Sequence, residues 1–109
     1  MIQEIHKDAG IPAKPAIYLD PPPLHAVWFD SIDGDGADLG PSQIFTHDCT
    51  VELYAPDIAS GNAALQRLIK QLDERNIHYD TQGWYWLKEI RRYQEVITFT
   101  YYNKQQEDT

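Results

Sequence analysis

The residues best suited to chemistry in this chain lie between Asp30 and Cys49. The stretch Asp30-Ser31-Ile32-Asp33-Gly34-Asp35-Gly36-Ala37-Asp38 invites a calcium reading, because hard cations gather carboxylate oxygens. The loop spacing fails. Ala37 stands where a third ligand belongs, and Ile44 stands where a bidentate Glu would close the site. Gly34, Gly36 and Gly40 are not a dinucleotide fingerprint either, since the last interval is one residue too long and strand text follows instead of a helix. His47-Asp48-Cys49 holds the residue types of a thiol nucleophile or a metal site. On a strand, however, Asp48 points away from the face shared by His47 and Cys49, so Cys49 reads most simply as a small core residue. His6, His25 and His78 are scattered, with no spacing for shared ligation. Carboxylates that meet only through folding, Asp20 with Asp30 for example, leave no mark in a sequence. We therefore expect no catalytic residue, no bound metal and no cofactor.

A second group of residues is suited to recognition. Trp84-Tyr85-Trp86, with Tyr101 and Tyr102, concentrates rings near the end of the chain. Alternation along a strand puts Trp84 and Trp86 on one face and Tyr85 on the other. Cross-strand packing would use such rings, and so would an interface with another subunit. The residues alone suit both.

The elements that must position these groups follow from periodicity. Met1 to Asp8 suits a short helix with Ile2 and Ile5 on one side, ended by Gly10 and Pro12. Pro12 to Pro23 holds most of the seven prolines and should be an extended, stiff connector. Leu24 to Phe29 reads as a first strand, and Asp30 to Ser42 as a flexible Asp/Gly loop. The second strand is the clearest: Phe45, Cys49, Val51 and Leu53 alternate with Thr46, Asp48, Thr50 and Glu52, interrupted on the apolar face only by His47. Pro56 stops it, and Asp57 or Ser60 can cap the next helix. Leu65, Leu68, Ile69 and Leu72 then form one helical stripe up to a left-handed stop at Asn76. Trp84 to Leu87 and Tyr93 to Tyr102 are β-prone. Although Trp84, Leu87 and Ile90 also satisfy a helical spacing, we expect two paired strands with a turn near Glu89 to Arg92.

The expected architecture is one α+β domain over residues 1–109. A short helix and proline-rich lead-in (1–23) precede an α+β core (24–103), and a flexible tail (104–109) follows. The core is expected to be a small, mostly antiparallel four-stranded sheet with one main amphipathic helix on one face.

Composition narrows the functional class. A chain of 109 residues makes one core without a wide cleft between domains. No run of about 18 apolar residues suggests a membrane span, and Met1 to Gly10 lacks a signal-peptide core. The single cysteine suits a reducing compartment. A net charge of -8 argues against a general grip on nucleic acid, which needs clustered cations; the one dense basic group, Lys88, Arg91 and Arg92, contains Glu89.

Three segments together resemble small tail terminator or tail-completion (head–tail joining) proteins of long-tailed phages and prophages. They are Pro21-Pro-Pro-Leu-His-Ala-Val-Trp-Phe-Asp30, His47-Asp-Cys-Thr-Val-Glu-Leu-Tyr54 with the following Ala-Pro-Asp, and Trp84-Tyr-Trp through Glu95-Val-Ile-Thr-Phe-Thr100. Relatives often carry a longer first helix than this chain. The resemblance implies a virion protein of the tail, assembled in the host cytoplasm, whose copies form a ring, hexameric in expectation. Its partners would be the tail-tube protein and the head connector, with DNA only passing through the lumen. Asp33, Asp35 and Asp38 would line that lumen or meet a neighbouring layer, and Trp84, Trp86, Tyr101 and Tyr102 would join subunits. Two other readings fit the composition: a small acidic regulatory or immunity-type module binding one protein partner, and a small enzyme built from distant carboxylates.

Overall fold

The computed structural model of the protein describes residues 1–34 and 44–104. Helix α1, Ile2–Ala9, turns Ile2, Ile5 and Ala9 inward and ends at Gly10, whose φ of 71° is the left-handed stop. Strand β1, Ala13–Pro15, follows at once and pairs in parallel with β2, His25–Gly34. Strand β3, Ile44–Ala55, runs antiparallel to β2 along its whole length, from His25↔Tyr54 to Gly34↔Phe45. Helix α2, Ile58–Glu74, is capped by the Asp57 carboxylate, which accepts the Ser60 N–H at 2.7 Å. Asn76 then takes the left-handed conformation at φ 57°. Two short strands, β4 (Tyr79–Thr81) and β5 (Tyr85–Leu87), both pair with the long final strand β6, Arg92–Lys104. The sheet runs β1-β2-β3-β6-β4, with β5 on the same side of β6 as β4.

The α+β class stands, but the sheet has six strands where four were expected. The two unexpected strands, β1 and β4, are three residues long, too short for a period of two to show. Pro15 in β1, with Pro12 just before it, concealed it further, although Pro is tolerated on an edge strand. The expected loop from Asp30 is also corrected: β2 continues to Gly34. Its Asp and Ser residues have low strand propensity, and pairing with Phe45 to Cys49 overrides it. The lead-in is not outside the core. Ile2, Ile5, Ala9 and Ile11 are buried with the α2 stripe. Lys104 belongs to β6, and the rest of the expected tail lies outside the described residues.

Both helices cover one face of the sheet. Leu65, Leu68 and Leu72 of α2 and Ile5 of α1 meet Val51 and Leu53 of β3 and Ile97 and Phe99 of β6. Each fully buried side chain of this size contributes about 1.5–3 kcal/mol. Two arginines tie the helices together: Arg67 Nε, midway along α2, donates to the Ala9 carbonyl at 2.8 Å, and Arg75, just past its end, reaches Asp8 at 2.9 Å.

Candidate functional site

Beyond the short flanking strands, β2, β3 and β6 run on as a three-stranded ribbon. β1 ends at Pro15↔Trp28 and β4 begins at Tyr79↔Phe99, whereas β2 continues to Gly34 and β6 to Lys104. This ribbon holds the main titratable cluster. His47 Nδ1–H donates to both oxygens of Asp30, at 3.0 and 3.1 Å, which leaves the other ring nitrogen unprotonated in the neutral imidazole. The His47 ring stacks on Tyr101, with centroids 4.4 Å apart and planes 10° from parallel. Cys49 is the cross-strand partner of Asp30. Burial, followed by the charge of Asp30 and a hydrogen bond to it, pushes the Cys49 thiol up to about 12. Burial and the Asp30 charge raise the Tyr101 phenol to about 12 as well.

The cluster is the reverse of an activated nucleophile. A reactive cysteine needs its thiolate favoured by a cation or a helix N-terminus; here a carboxylate faces the thiol. In a nucleophilic triad the imidazole stands between nucleophile and acid, whereas here the carboxylate stands between Cys49 and His47. Among the described residues no group of three or more His, Cys, Asp or Glu side chains is arranged to hold a metal ion. Asp48, adjacent in sequence, instead accepts from Thr100 Oγ1 at 2.8 Å on the opposite face. Sequence reading missed Asp30 as the partner of His47 because it ended the first strand at Phe29, whereas β2 runs on to Gly34.

A cleft of about 880 Å³ opens where β6 runs past β4, lined by Arg75, His78, Tyr79, Asp80, Thr100 and Tyr102 among others. A smaller groove of about 340 Å³ opens where β2 runs past β1, formed by Pro15, Ala16, Trp28, Phe29, Asp30 and Ser31. The cleft's Arg75 is engaged by Asp8 and Gln71.

The sheet face away from the helices is covered at its base by the proline-rich segment. There His25 Nδ1–H donates to the Pro22 carbonyl at 2.7 Å, with Tyr18 edge-on and Tyr54 stacked on its ring. Further along, this face carries Glu52, Asp48 and Asp80 among Thr50, Thr98 and Thr100. Phe29 and Tyr102 also stand on it, 42% and 70% exposed.

The expected interface residues divide. Tyr101 is corrected: it is buried, because its odd position in β6 turns it under the helices beside His47. Trp84 lies outside β5, partly buried against the core, and its indole N–H donates to Asn62 Oδ1 at 2.7 Å. A bulge places it there. Three residues, Gln82 to Trp84, separate β4 from β5 opposite only Glu95 and Val96 of β6. The buried Glu95 carboxylate accepts the N–H groups of Gln82 and Gly83 at 2.9 and 2.8 Å. Trp86 is half-exposed beside Tyr93, and Tyr102 is open. Asp33 lies near the end of β2, while Asp35 and Asp38 fall outside the described residues. The signal for Glu95 was its parity, since it shares the inward positions of Ile97, Phe99 and Tyr101; its partners on the bulge had none.

No protein-family model matches the chain, and no curated protein matches it. Twenty solved chains match it in structure. One of them superposes with a TM-score of 0.55 at 10% identity, over 96% of this chain and 87% of its own. A likeness at that identity shows the fold alone. The class so defined is an α+β domain with two helices on one face of a six-stranded, mostly antiparallel sheet.

Proposed function

We propose that this chain is a tail-terminator-like structural subunit, whose copies form a ring on the head-proximal end of a phage tail tube and join tail to head. The observation that carries the reading is the sheet's one-sided covering. Helices shield one face, while the other ends in a ribbon with exposed Phe29 and Tyr102, and Ile32 is 60% exposed on the ribbon's helix-side face. Large apolar groups grouped at one end of a small domain suit a surface that another subunit covers. The acidic side chains of the helix-free face, Asp48, Glu52 and Asp80, suit a lumen through which DNA passes without being held, since like charges repel the phosphates. The Cys49 thiol is held protonated and the His47 ring is buried against Tyr101, so the cluster favours no turnover and the reading is non-catalytic.

The test is the mass of the purified chain by size-exclusion chromatography with light scattering, together with electron microscopy of the main peak. A closed ring with a central hole, hexameric in expectation, supports the proposal. A monomer at every concentration, binding one protein partner, would replace it with the regulatory-module reading.

A further inference from the structure

Resting on the ring reading above, we propose that neighbouring copies join head to tail through bare sheet edges, the end of β2 in one copy adding in parallel to the end of β6 in the next.

The backbone hydrogen bonds identify which peptide groups are available. Ala26 N–H donates to the Pro12 carbonyl, and the Trp28 carbonyl accepts from Ala16 N–H. Even-numbered residues of β2 therefore aim their peptide groups toward β1. Asp30, Ile32 and Gly34 continue that row after β1 has ended. On the other side, the Val96 carbonyl accepts from Gln82 N–H, so even-numbered residues of β6 aim outward. Thr100 still faces the start of β4, and Tyr102 and Lys104 continue that row beyond it. Among the described residues no strand lies beside either row.

Long uncovered edges template pairing with another chain, and monomeric proteins blunt them with prolines, bulges or short strands. This sheet is blunted at its base, where Pro15 sits in β1 and a bulge separates β4 from β5. Along the ribbon neither device occurs: the register from β2 through β3 to β6 is continuous, without proline. Each bare edge also opens onto a groove, which leaves room for an incoming strand.

The geometry selects the second copy as occupant and sets its orientation. The two edges are level, because Ile32 pairs with His47 and His47 with Tyr101 in one row. Both β2 and β6 run antiparallel to β3, so they are parallel to each other. A twofold axis would join like edges and leave the others bare. Head-to-tail repetition uses both edges, and it makes a ring if the rotation closes. At about 3.3 Å per residue, the shared edge would be roughly 15 Å long.

The experiment combines amide hydrogen exchange on the unmodified assembly with proline variants. Ile32→Pro and Tyr102→Pro each remove an outward N–H without touching the ladder to β3, a change that edge strands tolerate. Ile32→Thr keeps the N–H and serves as the control. The expected result is slowed exchange at Ile32 and Tyr102 on assembly, loss of the ring in both proline variants with the fold retained by circular dichroism, and a ring for Ile32→Thr. If rings form but these amides stay fast, or folded proline variants still close, edge pairing is overturned while the ring reading stands. A particle of two copies overturns the head-to-tail arrangement. A monomer at all concentrations overturns both. Should the proline variants fail to fold, the exchange measurement decides alone.

Discussion

Replacing Gly61 with Ala should destabilise this protein even though alanine is the better helix former. Gly61 lies in the first turns of α2, and a Cβ built there would sit 2.6 Å from Cη2 and 2.7 Å from Cζ2 of Trp84, and 3.0 Å from the Ala55 Cβ. Helix propensity favours Ala over Gly by at most about 1 kcal/mol. Forcing a methyl into a filled contact costs about 1–3 kcal/mol, and here the neighbour is poorly able to retreat. The Trp84 indole is tethered to Asn62 at 2.7 Å, and its backbone follows a bulge held by the buried Glu95 carboxylate. Sterics should win, with a net loss of about 1–2 kcal/mol and a melting temperature lower by roughly 5–10 °C for a domain of this size. Urea unfolding followed by circular dichroism measures this directly, provided the slope against denaturant is unchanged. Repeating Gly61→Ala in a Trp84→Phe background makes a double-mutant cycle. The smaller ring vacates the space, so most of the penalty should disappear. Equal or higher stability of Gly61→Ala, or the same loss in both backgrounds, would refute the claim that Trp84 packing rather than helix propensity governs this position.

Glu95→Ala should cost about 2–4 kcal/mol, because Gly83 N–H loses a charge-assisted bond and a buried space opens. Glu95→Gln, which keeps an acceptor oxygen, should cost distinctly less; equal losses in urea titrations would argue against the clamp on the bulge. Burial holds the imidazoles of His6 and His25 below their ordinary 6.5, with Arg92 adding to the effect at His25. The unfolded chain then takes up their protons first, so their contribution to stability is intact above pH 6.5 and is lost as pH falls below it. For the deeply buried His6 the slope approaches about 1.4 kcal/mol per pH unit. His6 Nε2 is also buried without a partner among the described residues. His6→Leu should therefore flatten the acid limb of the stability–pH curve, and an unchanged limb would remove His6 as its source. Native Cys49 should react slowly with a thiol reagent at pH 8 and rapidly in urea, because its thiol is buried and pushed up to about 12; fast native labelling would contradict its placement beside Asp30.

Much of the scaffold was legible because it is written in local periods. The alternation from Phe45 to Leu53, the Leu65–Leu72 stripe and the Asp57 cap each act within a few residues, and each recurs in the fold. β1 and β4 were not legible, since three residues beside prolines or polar groups have no period to read. The candidate site was legible in residue type but not in arrangement. His47 and Cys49 were on one face as expected, yet their working partner is Asp30, seventeen positions from His47 along the chain.

By itself, then, the sequence determined the two helices and the cores of the longer strands, which side of each is apolar, and that an acidic domain with one cysteine lacks the spacing of common catalytic motifs. Tertiary structure alone decided that Asp30 meets His47 and Cys49, that Tyr101 is covered while Tyr102 is open, and that Trp84 turns onto Gly61. Among the described residues it also left the ends of β2 and β6 without neighbours. The reason is that periodicity records the direction of a side chain relative to its own backbone, whereas a partner across a sheet depends on register and strand order, which arise only when distant segments pair.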